Sequence, residues 1–180
     1  TADIVPDRLA GKRNAMAKLP GWARPLVIAA FAVAGAIPWL LLRLEPPALA
    51  ALAVIYLLPI LYSLPPVRLK ERHVLGPIAD ASNAFAVPAL FTIALFAPLG
   101  EPTGPPWLMV LGALAWTYGF GLRAIVKHQV DDADNDRASA TTTLVTRIGE
   151  ARALQAIRSV LFPVELVGLF YRVGQVLEAR

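Results

Sequence analysis

Two pairs of aspartates, each with three residues between its members, are the part of this chain best suited to chemistry. Asp3 and Asp7 form the first pair, and Asp132 and Asp136 form the second. At this spacing two carboxylates share one face of a helix, where they repel each other unless a cation lies beside them. Mg²⁺ takes oxygen ligands, keeps several waters and completes its shell with substrate phosphates. The two pairs therefore predict a magnesium site for a diphosphate.

The rest of the chain is unusually apolar, which restricts where such a site can lie. Hydrophobic residues make up 57% of the sequence and charged residues 17%, against roughly 50% and 25% in soluble domains. Long runs without charge reach the length of about 20 residues that crosses a bilayer. They predict four membrane-spanning helices, at about 23–43, 47–65, 77–98 and 105–126.

A fifth helix is predicted at about 150–177, with Arg158, Glu165 and Arg172 inside it. It is either a span with a polar face turned into the bundle or an interfacial helix. The expected fold class is an all-α integral membrane protein, a bundle of four to five spans around a central cavity that opens to the cytoplasmic face. We treat residues 1–180 as a single domain.

Basic residues are concentrated on one side of this up-down arrangement. Fourteen of the 17 lysines and arginines precede the first predicted span, separate the second from the third, or follow the fourth. The loops on the other side hold only Arg43. Positively charged loops stay in the cytoplasm, so all four paired aspartates are predicted to face it. The net charge of +4 is local to these loops, and it gives no reason to expect nucleic acid as a partner.

The sequence lacks cysteine and has polar residues at its start. With no cysteine, the chain has neither a disulfide nor a thiolate site. The first residues are polar and charged, without the apolar stretch of a secretory signal. The chain begins at Thr1, inside what looks like a motif around the first aspartate pair, and stops at Arg180 within a helical pattern. We therefore expect a fragment that is incomplete at both ends.

Three segments together resemble the UbiA family of intramembrane prenyltransferases. Asp3 and Asp7 match the last two aspartates of the family motif Asn-Asp-x-x-Asp-x-x-x-Asp, and Asp132 and Asp136 match its second motif, Asp-x-x-x-Asp. The stretch Tyr62-Ser-Leu-Pro-Pro-Val-Arg-Leu-Lys-Glu-Arg is similar to the family's loop after its fourth span. Order and spacing also agree, and on this map the chain corresponds to about spans three to seven of nine.

The resemblance implies Mg²⁺-dependent transfer of a polyprenyl group from a polyprenyl diphosphate to a lipophilic, commonly aromatic acceptor within the bilayer. The four aspartates would bind two magnesium ions and act as the catalytic residues, and Lys70 and Arg68 would donate to the diphosphate. No obligate protein partner is inferred. The remaining residues expected to form the substrate pocket are Tyr62, Ser63, Asp80, Asn83 and His128.

Other interpretations of the same residues remain open. Arg68 and Lys70 also suit contacts with lipid headgroups, and Tyr62 suits the aromatic belt at the membrane edge. A non-catalytic membrane scaffold would show the same spans. A small transporter with acidic cytoplasmic loops is a further alternative. Transporters usually place ionisable groups near the membrane midplane, whereas most charges of this chain lie at one edge.

Overall fold

The computed structural model describes residues 4–9, 11, 13–97, 99 and 104–178, and within these ranges the chain forms helices and turns without a strand. Short 3-10 helices cover Ala15–Lys18 and Leu69–Glu71. The first five α-helices are α1 (Ile4–Leu9), α2 (Ala23–Leu40), α3 (Pro46–Ser63), α4 (Leu75–Ala81) and α5 (Val87–Phe96). The other five are α6 (Trp107–Asp131), α7 (Ala133–Ala138), α8 (Leu144–Ile148), α9 (Glu150–Ala156) and α10 (Phe162–Glu178).

Five helical stretches are long and apolar enough to cross a membrane, which confirms the predicted all-α membrane bundle. The stretch that joins α4 to α5 counts as one of them, and so does the stretch that joins α9 to α10. The first four lie close to the bounds predicted from the uncharged runs, and the fifth begins where the charged helix was predicted. The five are Ala23–Leu40, Pro46–Ser63, Leu75–Phe96, Trp107–Asp131 and Glu150–Tyr171.

Two of these spans contain a single widened turn, and each widened turn lies next to a proline. The π-helical turn Ser82–Ala86 leads to Pro88, and Ile157–Leu161 leads to Pro163. Proline lacks an N–H and its ring clashes with the carbonyl four residues earlier, so the preceding turn expands instead of closing. Pro88 and Pro163 therefore account for the position of both π turns.

Neighbouring spans run antiparallel, as the up-down arrangement requires. The end of α2 contacts the end of α5 through Trp39 and Phe91, whose rings meet edge to face at 4.9 Å. Ala48 and Ala51, near the start of α3, share a buried cluster with Phe91. Phe85 lies against Gly121 of α6. The ends of α3, α6 and α7 and the start of α4 consequently lie at one edge of the bundle.

The closest packing joins α6 to α10 through glycine. A Cβ on Gly168 would lie 2.5 Å from the backbone nitrogen of Trp116, so only a residue without a side chain fits there. One turn away, the Arg123 guanidinium binds the Glu165 carboxylate through two hydrogen bonds of 2.5 and 3.1 Å. Glu165 is buried. The fifth helix is long and apolar enough to span a membrane, and its Glu165 faces α6, whereas Arg158 is exposed.

Candidate functional site

A polar cavity of about 590 Å³ opens where α3 and α6 end and α4 begins. Tyr62 reaches it from the last turn of α3, and Gln129 from the last turn of α6. One wall comes from the connection between α3 and α4, and the other from the loop that follows α7. These two walls consist of Arg68, Lys70, Glu71 and His73 on one side and Ser139, Ala140, Thr141, Thr142 and Thr143 on the other.

The lining of this cavity differs from that of the other clefts in the described part of the chain. Its side chains are charged, hydroxylated or amide-bearing, and Ala140 alone is aliphatic. Two clefts of about 260 and 420 Å³ between the spans are instead lined almost wholly by aliphatic and aromatic residues. In a chain so rich in apolar residues, a cavity lined mainly by polar side chains at the bundle edge indicates a polar or charged ligand group.

The first wall is a tight turn that presents Lys70. Arg68 precedes the 3-10 helix Leu69–Glu71, and its Nη2 lies 2.6 Å from the Glu71 carboxylate. The Arg72 Nε donates to the Val67 carbonyl at 2.7 Å, which closes the turn from the other side. Arg68 therefore offsets the charge of Glu71 within this wall.

The second wall follows the second aspartate pair directly along the chain. Asp132 lies at the junction of α6 and α7, and its carbonyl accepts the backbone N–H of Asp136 at 2.9 Å, so the two residues lie one helical turn apart. The chain then folds back, because the Thr141 N–H donates to the Asp136 carbonyl at 2.8 Å. Thr143 begins α8 with a capping box that it shares with Thr146.

Three residues of the cavity hold a backbone conformation that side chains disfavour. Arg68, His73 and Ala140 have φ values of 39°, 38° and 54°, and they are the non-glycine residues with positive φ within the described ranges. Such a conformation costs on the order of 1 kcal/mol or more for each residue. All three line this one cavity. Strained backbone of this kind clusters at binding sites, which supports a functional role for the cavity.

Unpaired polar atoms are concentrated in the same place. Among the described residues, Arg68 Nε, His73 Nδ1 and Gln129 Oε1 are buried without a hydrogen-bond partner, and Asn83 Oδ1 is the one further case. Buried polar atoms without a partner are rare because each costs about 1–3 kcal/mol. Three of these four atoms belong to residues that line the cavity, as expected of a site that gains partners when a ligand binds.

The structure places the predicted site residues in three groups. Tyr62, Arg68 and Lys70 line the cavity. Asp132 and Asp136 do not line it, although Gln129 and Ser139 on either side of them do. Ser63 is the last residue of α3, next to Tyr62.

The third group surrounds His128. Its Nε2 lies 3.7 Å from the Asp132 carboxylate, and Asp80 lies in α4. Asn83 lies one turn beyond Asp80, within the first π turn. His128 thus adjoins the second aspartate pair, and His128, Asp80 and Asn83 do not line the polar cavity.

The first aspartate pair is only partly described. Asp3 lies outside the described residues. Asp7 lies in α1 and accepts a hydrogen bond of 2.6 Å from the Asn14 amide, an interaction within its own segment. The approach of this pair to Asp132 and Asp136 stays a prediction.

The carboxylates of the second aspartate pair suit Mg²⁺ when phosphate and water supply its other ligands. Within the described residues no group of three or more His, Asp or Glu side chains is placed to hold a metal ion. Asp132 and Asp136 offer two carboxylates, which is the number that Mg²⁺ commonly takes from a protein when phosphate and water supply the rest. These two residues would therefore hold the ion together with a phosphate ligand.

Sequence reasoning missed His73, Gln129 and the hydroxyl-bearing residues of the second wall, which are Ser139, Thr141, Thr142 and Thr143. The run of threonines directly after the second aspartate pair was a visible signal, since hydroxyl donors in a loop suit an anion. Comparison with known proteins adds nothing to these assignments, because no protein-family model, curated protein or solved structure matches the chain.

Proposed function

We propose that this protein is an integral membrane prenyltransferase that moves a polyprenyl group from its diphosphate to a lipophilic aromatic acceptor, with Mg²⁺ as cofactor. The observation that carries the proposal is the polar cavity at the edge of an apolar helix bundle. Both residues expected to bind the diphosphate, Arg68 and Lys70, line it, and the second aspartate pair adjoins it. A substrate with a charged head and an apolar tail matches a polar cavity at the edge of apolar spans.

The chemistry divides among the residues as follows. The allylic carbon–oxygen bond breaks with its electron pair going to the diphosphate, a bond forms to an acceptor carbon, and the proton of that carbon leaves to water. Asp132 and Asp136 would hold magnesium, which when bound neutralises charge on the leaving group. Lys70 donates to the same group. The apolar spans keep water from the allylic carbon until the acceptor reacts.

The orientation belongs to the same proposal. The cavity, the second aspartate pair and most basic residues lie at one edge of the bundle, and positively charged loops stay in the cytoplasm. Substrate diphosphate would then enter from the cytoplasm. The pair Arg123 and Glu165, the described ion pair that links two spans, is already satisfied internally, so it does not favour a transporter.

Substitution of single aspartates tests the proposal in membranes that contain the full-length protein. Asp132→Ala and Asp136→Ala should each lower transfer of a labelled polyprenyl group by about 10² or more, because the leaving group loses its stabilising charge. Asp134→Ala is the matched control, since the side chain of Asp134 is 99% exposed and pairs only with the neighbouring Arg137 in the described structure. Expression level is measured in each case. Equal loss in all three variants, or full activity of Asp132→Ala, would contradict the proposal.

A further inference from the structure

Arg158 is a charged residue inside a candidate membrane span, on the outer side of the bundle. It belongs to the π-helical turn Ile157–Leu161 of the fifth span, and its side chain is exposed. Within the described ranges no residue forms a hydrogen bond or an ion pair with its guanidinium. A charge at such a position is costly unless an anion or water reaches it, so Arg158 calls for a partner.

The other basic residues of the spans show how this chain normally meets that cost. Each lysine or arginine in the first and fourth candidate spans has a partner inside the protein. These pairs are Arg24 with the Leu19 carbonyl, Arg123 with Glu165, and Lys127 with Asp131. Glu165 is thus already bound, and Glu150 at the start of the fifth span is bound by Arg137. The anion that offsets Arg158 therefore lies outside the described part of the chain.

The depth of Arg158 in its span is suited to a lipid phosphate. The Arg137 guanidinium of α7 donates to Glu150 at 2.6 Å, so the fifth span begins at the edge that carries the polar cavity. Arg158 lies eight residues further along the chain, which is about 12 Å in a helix. From this depth the long side chain of arginine extends back to the headgroup layer. Phosphate is an anion that the planar guanidinium binds through two hydrogen bonds.

The surface next to Arg158 suits the other parts of a phospholipid. Ser159 is exposed, and its hydroxyl has no partner among the residues that the structure describes. The hydroxyls of Ser82 and Thr92 instead donate to the carbonyl four residues earlier in their own helices. Val160 and Phe162 follow along the span and are 54% and 45% exposed. A cation and a free hydroxyl beside exposed apolar side chains match a headgroup with its acyl chains, and a soluble anion would not use the apolar part.

From these features we infer that Arg158 and Ser159 bind the phosphate of an anionic phospholipid, in the leaflet on the side of the polar cavity. The lipid lies on the outer side of the fifth span, because α6 covers the inner side at Gly168. An anionic lipid fits better than a zwitterionic one, whose own ammonium group already balances its phosphate. Neither residue lines the polar cavity, and the inference does not depend on prenyl transfer.

Native mass spectrometry of the purified full chain tests this site. Delipidated protein in detergent is titrated with phosphatidylglycerol or phosphatidylcholine, and the fraction that carries one lipid gives the apparent affinity. The parent should prefer phosphatidylglycerol. Arg158→Gln should weaken phosphatidylglycerol binding on the order of tenfold, because hydrogen bonds to a charged phosphate are lost, and should change phosphatidylcholine binding less. Ser159→Ala should weaken it in the same direction by a smaller factor.

A matched variant separates this site from the general effect of a lost charge. Arg147→Gln removes the same charge from an exposed arginine in α8, outside the candidate spans. It should leave phosphatidylglycerol affinity close to that of the parent, because water and salt screen a charge outside the bilayer. Arg158→Lys keeps the charge but loses the two-pronged hydrogen bonding, so its affinity should lie between those of the parent and Arg158→Gln. Circular dichroism checks the helix content, and Arg158→Lys carries the test if Arg158→Gln loses helix.

Three results would overturn the inference. Unchanged phosphatidylglycerol affinity in both Arg158 variants would mean that this arginine does not meet a lipid phosphate. Equal losses in Arg158→Gln and Arg147→Gln would mean a diffuse effect of net charge. Conversion of a dimer to a monomer by Arg158→Gln, with lipid affinity unchanged, would assign the arginine to a contact with a second copy of the chain.

Discussion

At the scale of single residues, the backbone strain of the cavity is more informative than its charge. Lysine and arginine beside a membrane commonly contact headgroups, so Lys70 alone does not define a site. Arg68, His73 and Ala140 are strained and belong to two separate segments, yet they line one cavity. No sequence pattern predicted these conformations, because positive φ at a non-glycine residue is imposed by the surrounding fold.

Relief of strain at Ala140 gives a direct test at this scale. Ala140→Gly removes the Cβ that disfavours its φ of 54° and should stabilise the protein by up to about 1 kcal/mol, less the entropy that glycine adds to the unfolded chain. Ala138→Gly, in α7 two residues earlier, should destabilise it by about 0.5–1 kcal/mol. Thermal unfolding in detergent measures both. Equal destabilisation by the two glycines would show that Ala140 is not strained.

At the scale of elements, sequence predicted the spans well and their contacts poorly. Uncharged runs located the first four candidate spans within a few residues, because a bilayer imposes a fixed length, whereas the fifth, which contains charged residues, was predicted as either a span or an interfacial helix. The partner of Glu165 was not predicted. Arg123 lies 42 positions away, and only the register of α6 against α10 brings them together. That register depends on glycines, whose role in close packing appears only when the two helices are seen in contact.

Glycine at position 168 should be indispensable to this helix pair. Gly168→Ala would place a methyl group 2.5 Å from the Trp116 backbone nitrogen and 2.9 Å from the Gly112 carbonyl oxygen, so α6 and α10 must separate at a cost of about 1–3 kcal/mol. Gly174→Ala is the matched control in the same helix, since a Cβ there meets no atom within 4 Å. Thermal unfolding should separate the two variants; similar midpoints would exclude the close contact.

At the scale of the whole molecule, charge and topology agree although they rest on different observations. The basic loops were assigned to one edge by composition alone, and the antiparallel packing of the spans places their ends at that same edge. Hydrogen bonding to Glu150 raises the pKa of Arg137 above its ordinary value, and the same contact links α7 to α9. The side of the membrane on which this edge lies remains a prediction from the positive-inside rule.

Single cysteines can decide this orientation, because the chain has none of its own. Lys18→Cys before α2 and Asn135→Cys in α7 replace exposed residues at the edge that carries the cavity, and Glu45→Cys replaces an exposed residue at the other edge. In intact cells an impermeant maleimide should label only Glu45→Cys, and it should label the other two after the membrane is opened. The reason is that translocation of the basic segments is disfavoured. Labelling of Lys18→Cys and Asn135→Cys from opposite sides would rule out a common cytoplasmic edge, and with it a single site that draws on both aspartate pairs.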